Sequence, residues 1–197
     1  MVAVAGEQVR TSNLVAVSRY RIGMWVGLAS ILMLFTSLTS AYIVRAASSN
    51  DWKALPMPRI LLLSTVVILL SSGTLELAKR KLKASLESGY RTWLLITTAL
   101  GLAFLVSQLL AWRQLVGQGV YVATHPHSSF FYLLTATHGV HLLGGLLALM
   151  YLIVRTSRPL DERFEAKRLA AAGAVGIYWH FMDILWIYLF LLLFFWR

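Results

Sequence analysis

The chain has no cysteine, only four prolines and only eight acidic residues among its 197 positions. Lack of cysteine excludes disulfides, thiolate metal sites and sulfur nucleophiles, but says nothing about compartment. Charged residues make up 13% of the sequence, against about 25% in an ordinary soluble domain, so there is too little polar surface to coat a water-soluble globule. A Gly-rich phosphate loop, a Ser/His/Asp set and a dense metal-ligand cluster are missing as well. What remains is hydrophobic, at 58% of residues, and it is arranged in long runs.

Five such runs, 22–42, 59–78, 92–112, 130–154 and 175–196, reach the roughly 20 residues needed to cross a hydrocarbon core about 30 Å thick. The expected fold class is therefore all-α and integral to the membrane: a bundle of five transmembrane helices, with 1–197 as a single membrane domain. The first run is longer than the 7–15-residue core of a signal peptide, and is read as a retained span. It carries Gly23, Gly27, Ala29, Ser30, Ser37, Ser40 and Ala41, small side chains that let membrane helices approach closely. Between the spans lie a polar loop, 45–58, with Pro56, Pro58 and Trp52 as an interfacial anchor, and a loop 114–129 holding His125 and His127. Surface contact is expected of those two histidines. A charged loop at 155–168 and an Ala-Gly segment then lead into the last span.

The net charge of +10 would suggest nucleic acid in a soluble protein, but here its distribution reports topology instead, and no nucleic-acid partner is expected. Five crossings place thirteen of the eighteen Lys and Arg residues on one side, clustered at Arg10–Arg21, Lys79–Arg91 and Arg155–Arg168, and five on the other. The positive-inside rule then puts the N-terminus inside and the C-terminus outside.

Polar residues within the spans are the natural candidates for function, because an unpaired polar group in lipid costs several kcal/mol. They are Glu76, His138, His141, His180 and Asp183. At about 1.5 Å per residue, Glu76, His180 and Asp183 sit roughly 4, 8 and 12 Å from the inner boundary, and His141 and His138 about 20 and 24 Å. Each pair at i,i+3, His138 with His141 and His180 with Asp183, shares a helix face. A haem would want two axial histidines at matched depth, which these are not, and a carboxylate di-metal site would want more Glu than Glu76. Two readings stay open: a proton relay, or a structural cluster in which these side chains hydrogen-bond across helices and lock the bundle. The residues by themselves favour the second. The aromatic stretch from Trp179 to Trp196 reads as packing or lipid-facing surface rather than a cofactor box.

At His138-Gly139-Val140-His141 and at Tyr178-Trp179-His180-Phe181-Met182-Asp183, the sequence resembles subunit III of the haem–copper respiratory oxidases, the cytochrome c oxidase family. The likeness extends through Pro126–Tyr132 and from Arg21-Ile22-Gly23-Met24-Trp25 to Ala41-Tyr42, and the chain is similar to the five-helix bacterial form. The resemblance implies a non-redox accessory subunit of a terminal oxidase that reduces oxygen to water in aerobic respiration. It implies no catalytic residue, cofactor or metal in this chain, with haem and copper held by partner subunits I and II and a small subunit IV nearby. It also implies support of proton uptake, a structural phospholipid between helices, and a place in the bacterial cytoplasmic membrane. Electron donors, cytochrome c or quinol, would contact other subunits. The same resemblance admits the corresponding subunit of a quinol oxidase or of nitric oxide reductase, which the sequence does not separate. An independent transporter would call for an inverted repeat, and none is visible. One departure stands out: many members carry an acid directly after the serine that matches Ser30, where this chain has Ile31.

Overall fold

A segment surrounded by lipid must satisfy its own backbone N–H and C=O groups, and a helix does so within one stretch of chain. The computed structural model describes residues 2–48, 55, 57–156 and 162–195, with side-chain surroundings from residue 22 onward except 162–167. Its helices are α1 (Val2–Ser48), α2 (Ile60–Lys83), α3 (Glu87–Gly117), α4 (Pro126–Thr156) and α5 (Glu162–Phe195). The parts long and apolar enough to cross a membrane are Ile22–Ser48, Ile60–Lys83, Glu87–Gly117, Pro126–Thr156 and Arg168–Phe195. Five spanning-length helices are thus present among the described residues, as expected. They overrun the hydropathy boundaries because a helix continues through charged residues until its end is capped. Accordingly α2 runs on through its basic cluster and α4 starts at Pro126. The loop expected at 155–168 is shortened by α5, which begins at Glu162. Trp52 and Pro56 lie outside the described residues.

The helix ends show what stops them. After α2, Leu86 N–H bonds the Lys81 carbonyl and Ser85 N–H the Leu82 carbonyl, with Ser85 at φ 56°. This is a Schellman cap with a left-handed residue just past the helix. The same pair of bonds closes α3, from Val120 to Leu115 and from Gly119 to Val116. There Gly119, at φ 77°, supplies the conformation that glycine adopts without steric cost. At the start of α4, Pro126 occupies the first helical position, where its missing N–H is not needed. Ser128 reaches back to accept the His125 N–H at 3.1 Å.

Helices α2, α3, α4 and α5 form a closed ring, each packed on two neighbours, while α1 lies outside the ring against α4 and α5. The ring closes around Trp179. This side chain is fully buried and fits against two glycines on different helices. A Cβ built on Gly101 of α3 would stand 2.8 Å from the Trp179 ring and 2.9 Å from Leu146, and one on Gly145 of α4 would meet Trp179 at 3.2 Å. Gly101→Ala should therefore destabilise the bundle, by about 1–3 kcal/mol if it behaves like other overpacked cores. Gly73→Ala on α2, where a Cβ meets nothing within 4 Å, should not. Detergent-denaturation midpoints of the two variants provide the check, and equal midpoints would refute the tight fit at Trp179.

Candidate functional site

Every neighbouring pair in the ring is tied by at least one side-chain hydrogen bond. The richest seam joins α2 to α5. Small hydroxyl residues recur at seven-residue steps on α2, Ser64 with Ser71 and Thr65 with Ser72, as do Trp179 and Trp186 on α5, so each set shares one face. Trp179 Nε1 donates to Ser71 Oγ at 3.0 Å and Trp186 Nε1 to Thr65 Oγ1 at 3.0 Å. Numbers rise on one helix as they fall on the other, so α2 and α5 are antiparallel. Between α2 and α3, Gln108 Nε2 donates to Ser64 Oγ at 3.0 Å and the hydroxyls of Thr74 and Thr97 meet at 2.8 Å. Trp112 Nε1 donates to Thr135 Oγ1 at 3.1 Å between α3 and α4, and Tyr178 donates to the His141 carbonyl at 2.7 Å between α4 and α5.

The five expected polar residues divide between two places. At the lower end of the α2–α5 seam, His180 Nδ1 is 2.6 Å from Ser72 Oγ and His180 Nε2 is 3.9 Å from a Glu76 carboxylate oxygen. That carboxylate is ion-paired with Lys79 one turn on. Asp183, one turn from His180, is 3% exposed, and neither of its carboxyl oxygens has a hydrogen bond. The Ser72 hydroxyl makes its hydrogen-bonding contact with His180. Glu76, His180, Ser72 and Asp183 thus form one polar file from the end of α2 inward.

His138 and His141 stand apart, on α4. His138 is 0% exposed and boxed by rings: Trp186 at 5.2 Å, Phe104 at 5.9 Å and Phe35 at 6.5 Å between centroids. Neither of its ring nitrogens has a hydrogen-bond partner. His141 turns to its own helix, with Nδ1 2.8 Å from the Thr137 carbonyl, and packs edge-on against Phe35 at 5.7 Å. Cross-helix hydrogen bonding was expected of all five side chains. Only His180 makes it, to Ser72; Glu76 and His141 bond within their own helices, His138 and Asp183 have no hydrogen bond, and the cross-helix bonds come chiefly from tryptophan, serine and threonine. Among the described residues no three His, Asp or Glu side chains gather as a metal-binding group.

Two residues expected at the surface are interior. His127 lies in the first turn of α4, fully buried, with Nε2 3.3 Å from the Tyr42 hydroxyl of α1. Pro126 can open a helix as well as break one, which is why a loop reading misplaced it. Arg168, read as a loop cation, sits 4% exposed on α5. It bonds Glu87 at 2.8 Å and lies 5.5 Å from the Tyr90 ring centroid. Ile31 is partly buried against the core.

The protein-family profile described as "Cytochrome c oxidase subunit III" matches residues 4–197. A Mycobacterium tuberculosis protein named "Probable cytochrome c oxidase subunit 3" is 34% identical over 180 residues, covering 89% of this chain and 87% of that one. "Cytochrome c oxidase subunit 3" of Corynebacterium diphtheriae is 31% identical over 181 residues, covering 88% and 86%. That of Thermostichus vulcanus is 30% identical over 179 residues, covering 88% and 85%. With a profile match over nearly its whole length and relatives at 30–34% identity along most of theirs, the chain belongs to the cytochrome c oxidase subunit III family.

Proposed function

We propose that this chain is the non-redox accessory subunit III of a haem–copper terminal oxidase that reduces oxygen to water in aerobic respiration. It sits beside subunit I, with subunit II and a small subunit IV as further partners, and haem and copper belong to those partners. Its work is to stabilise subunit I, to support proton uptake and to hold phospholipid. The observation that carries this reading is the family match across residues 4–197. The placement of basic residues supports an N-terminus inside and a C-terminus outside, and the bacterial relatives support a cytoplasmic-membrane location. The test is a gentle pull-down through a tag on this chain, followed by an absorption spectrum. Haem bands should track with the tag, and an intact haem–copper oxidase purified from the same cells without this chain would sink the proposal.

Within that reading, the polar file at Glu76, His180 and Ser72 acts in assembly. His180→Ala removes one of the bonds from α5 to α2, the one to Ser72, a loss of about 0.5–1.5 kcal/mol. The yield of assembled complex should fall more than oxygen consumption per haem. Normal yield with abolished turnover would instead favour a proton-relay role for the file.

A further inference from the structure

The turn between α2 and α3 brings together more donors than acceptors. The ladder of α3 opens with the Tyr90 N–H on the Leu86 carbonyl at 3.0 Å. The N–H groups of Glu87, Ser88 and Gly89 stand ahead of that ladder, and no side chain caps the helix. Lys81, in the last turn of α2, lays its stem against Gly89, where a built Cβ would be 3.4 Å from Lys81 Cγ and Cδ. A lysine of one helix is thus held beside the first turn of the next. Arg80, Lys81, Lys83 and Arg91 are all exposed, and none is ion-paired to an acidic side chain among the described residues.

Behind the turn, Arg168 of α5 is aimed at the same end of α3. Its side chain is 5% exposed and donates from Nη1 to Glu87, the first residue of α3, at 2.8 Å. The guanidinium lies 5.5 Å from the ring centroid of Tyr90, one turn on. Nε and Nη2 have no partner, and neither does the buried Tyr90 hydroxyl. Glu87 is already engaged by Arg168, so the start of α3 has no free acid of its own. Cations in the last turn of α2 complement the dipole of that helix, which accounts for Arg80 and Lys83 but not for the uncapped start of α3. Free amides at a helix N-terminus, ringed by cations, make a seat for a carboxylate or a phosphate. Amide donors are directional, and a carboxylate fixed on a folded neighbour meets them in one orientation, as a headgroup diffusing in the bilayer does not.

We propose that the α2–α3 turn is a docking surface for an acidic segment of a neighbouring oxidase subunit, whose carboxylate caps α3 at Ser88 and Gly89 and pairs with Lys81. The proposal rests on membership of the oxidase complex and adds the place and chemistry of one contact. It is tested on the complex recovered through a tag on this chain and treated with a water-soluble carbodiimide, which joins a lysine amine to a carboxylate in contact with it. Peptide mass spectrometry should find Lys81 or Lys83 joined to an Asp or Glu of another subunit, and high salt should weaken that cross-link. Replacing both lysines, Lys81→Glu with Lys83→Glu, should lower the haem recovered per tagged chain several-fold, whereas Arg113→Gln, an exposed cation near the other end of α3, should not. The wild-type cross-link needs no variant to fold: haem present with neither lysine joined to another subunit would overturn the proposal. So would a double variant that loses bound phospholipid while its haem recovery stays at the wild-type level, which would give the surface to headgroups. Haem absorption in the wild-type sample keeps the two readings apart: its absence counts against the oxidase assignment, and its presence leaves the cross-link to judge the docking surface.

Discussion

Replacing Trp179 with alanine is expected to lower the stability of the bundle by about 3–5 kcal/mol, the usual range for deleting a buried aromatic ring. The top of that range is expected because one side chain here serves four helices. It is carried on α5, donates to Ser71 of α2 at 3.0 Å, and fills the space left by Gly101 of α3 and Gly145 of α4. Neither glycine can grow into the hole, so the cavity stays largely open. Trp179→Phe separates the contributions: it keeps most of the ring and loses the N–H, for about 0.5–1.5 kcal/mol. Thermal or detergent-denaturation midpoints of the purified protein measure both. A loss below about 1 kcal/mol for the alanine variant would show that the ring does not close around this residue.

Replacing His138 with leucine is expected to act in the opposite direction, raising stability by about 1–3 kcal/mol. The imidazole is fully buried with two polar nitrogens that have no partner, and removing such a group recovers its desolvation cost. The surrounding rings of Phe35, Phe104 and Trp186 accept an aliphatic side chain of similar size without a new polar demand. A lowered midpoint would show that something bonds those nitrogens in the membrane. The companion measurement is oxygen consumption per haem in the assembled complex. A more stable variant that turns over normally would make His138 a packing residue. A more stable variant with impaired turnover would mean that stability is given up for function at this position.

Much of the fold is legible in the sequence because lipid imposes a single rule on length and polarity. The five runs from Ile22 onward announce themselves by hydropathy. The ends were harder to place because capping, not composition, stops a helix: α2 passes through Lys79, Arg80 and Lys81 and halts at a left-handed Ser85. The candidate residues were legible as types rather than as partners. Glu76 and His180 do meet Lys79 and Ser72, but nothing in the spacing of His138 says that it will be enclosed by three aromatic rings from three other helices. The α2–α5 seam did leave a trace, in the seven-residue repeats of serine and threonine facing those of tryptophan. The aromatic stretch was legible only as packing or lipid-facing surface, because composition does not say which tryptophan meets which hydroxyl. His127 was misplaced because a histidine beside a proline looks like a loop until Tyr42, 85 residues earlier, is brought to it.

The position of α1 outside the ring carries a consequence for biogenesis. Among the described residues its neighbours are α4 and α5 alone, so α1, made before them, has no docking surface on the other described helices until α4 and α5 have been inserted. The α2–α3 hairpin, closed by a turn of three residues, can pair as soon as it is made, whereas α1 waits through the synthesis of more than half the polypeptide. During that interval its glycine- and serine-bearing surface is open to chaperones, to insertases and to helices of other nascent subunits. Co-translational timing therefore governs whether this helix finds its own chain or another.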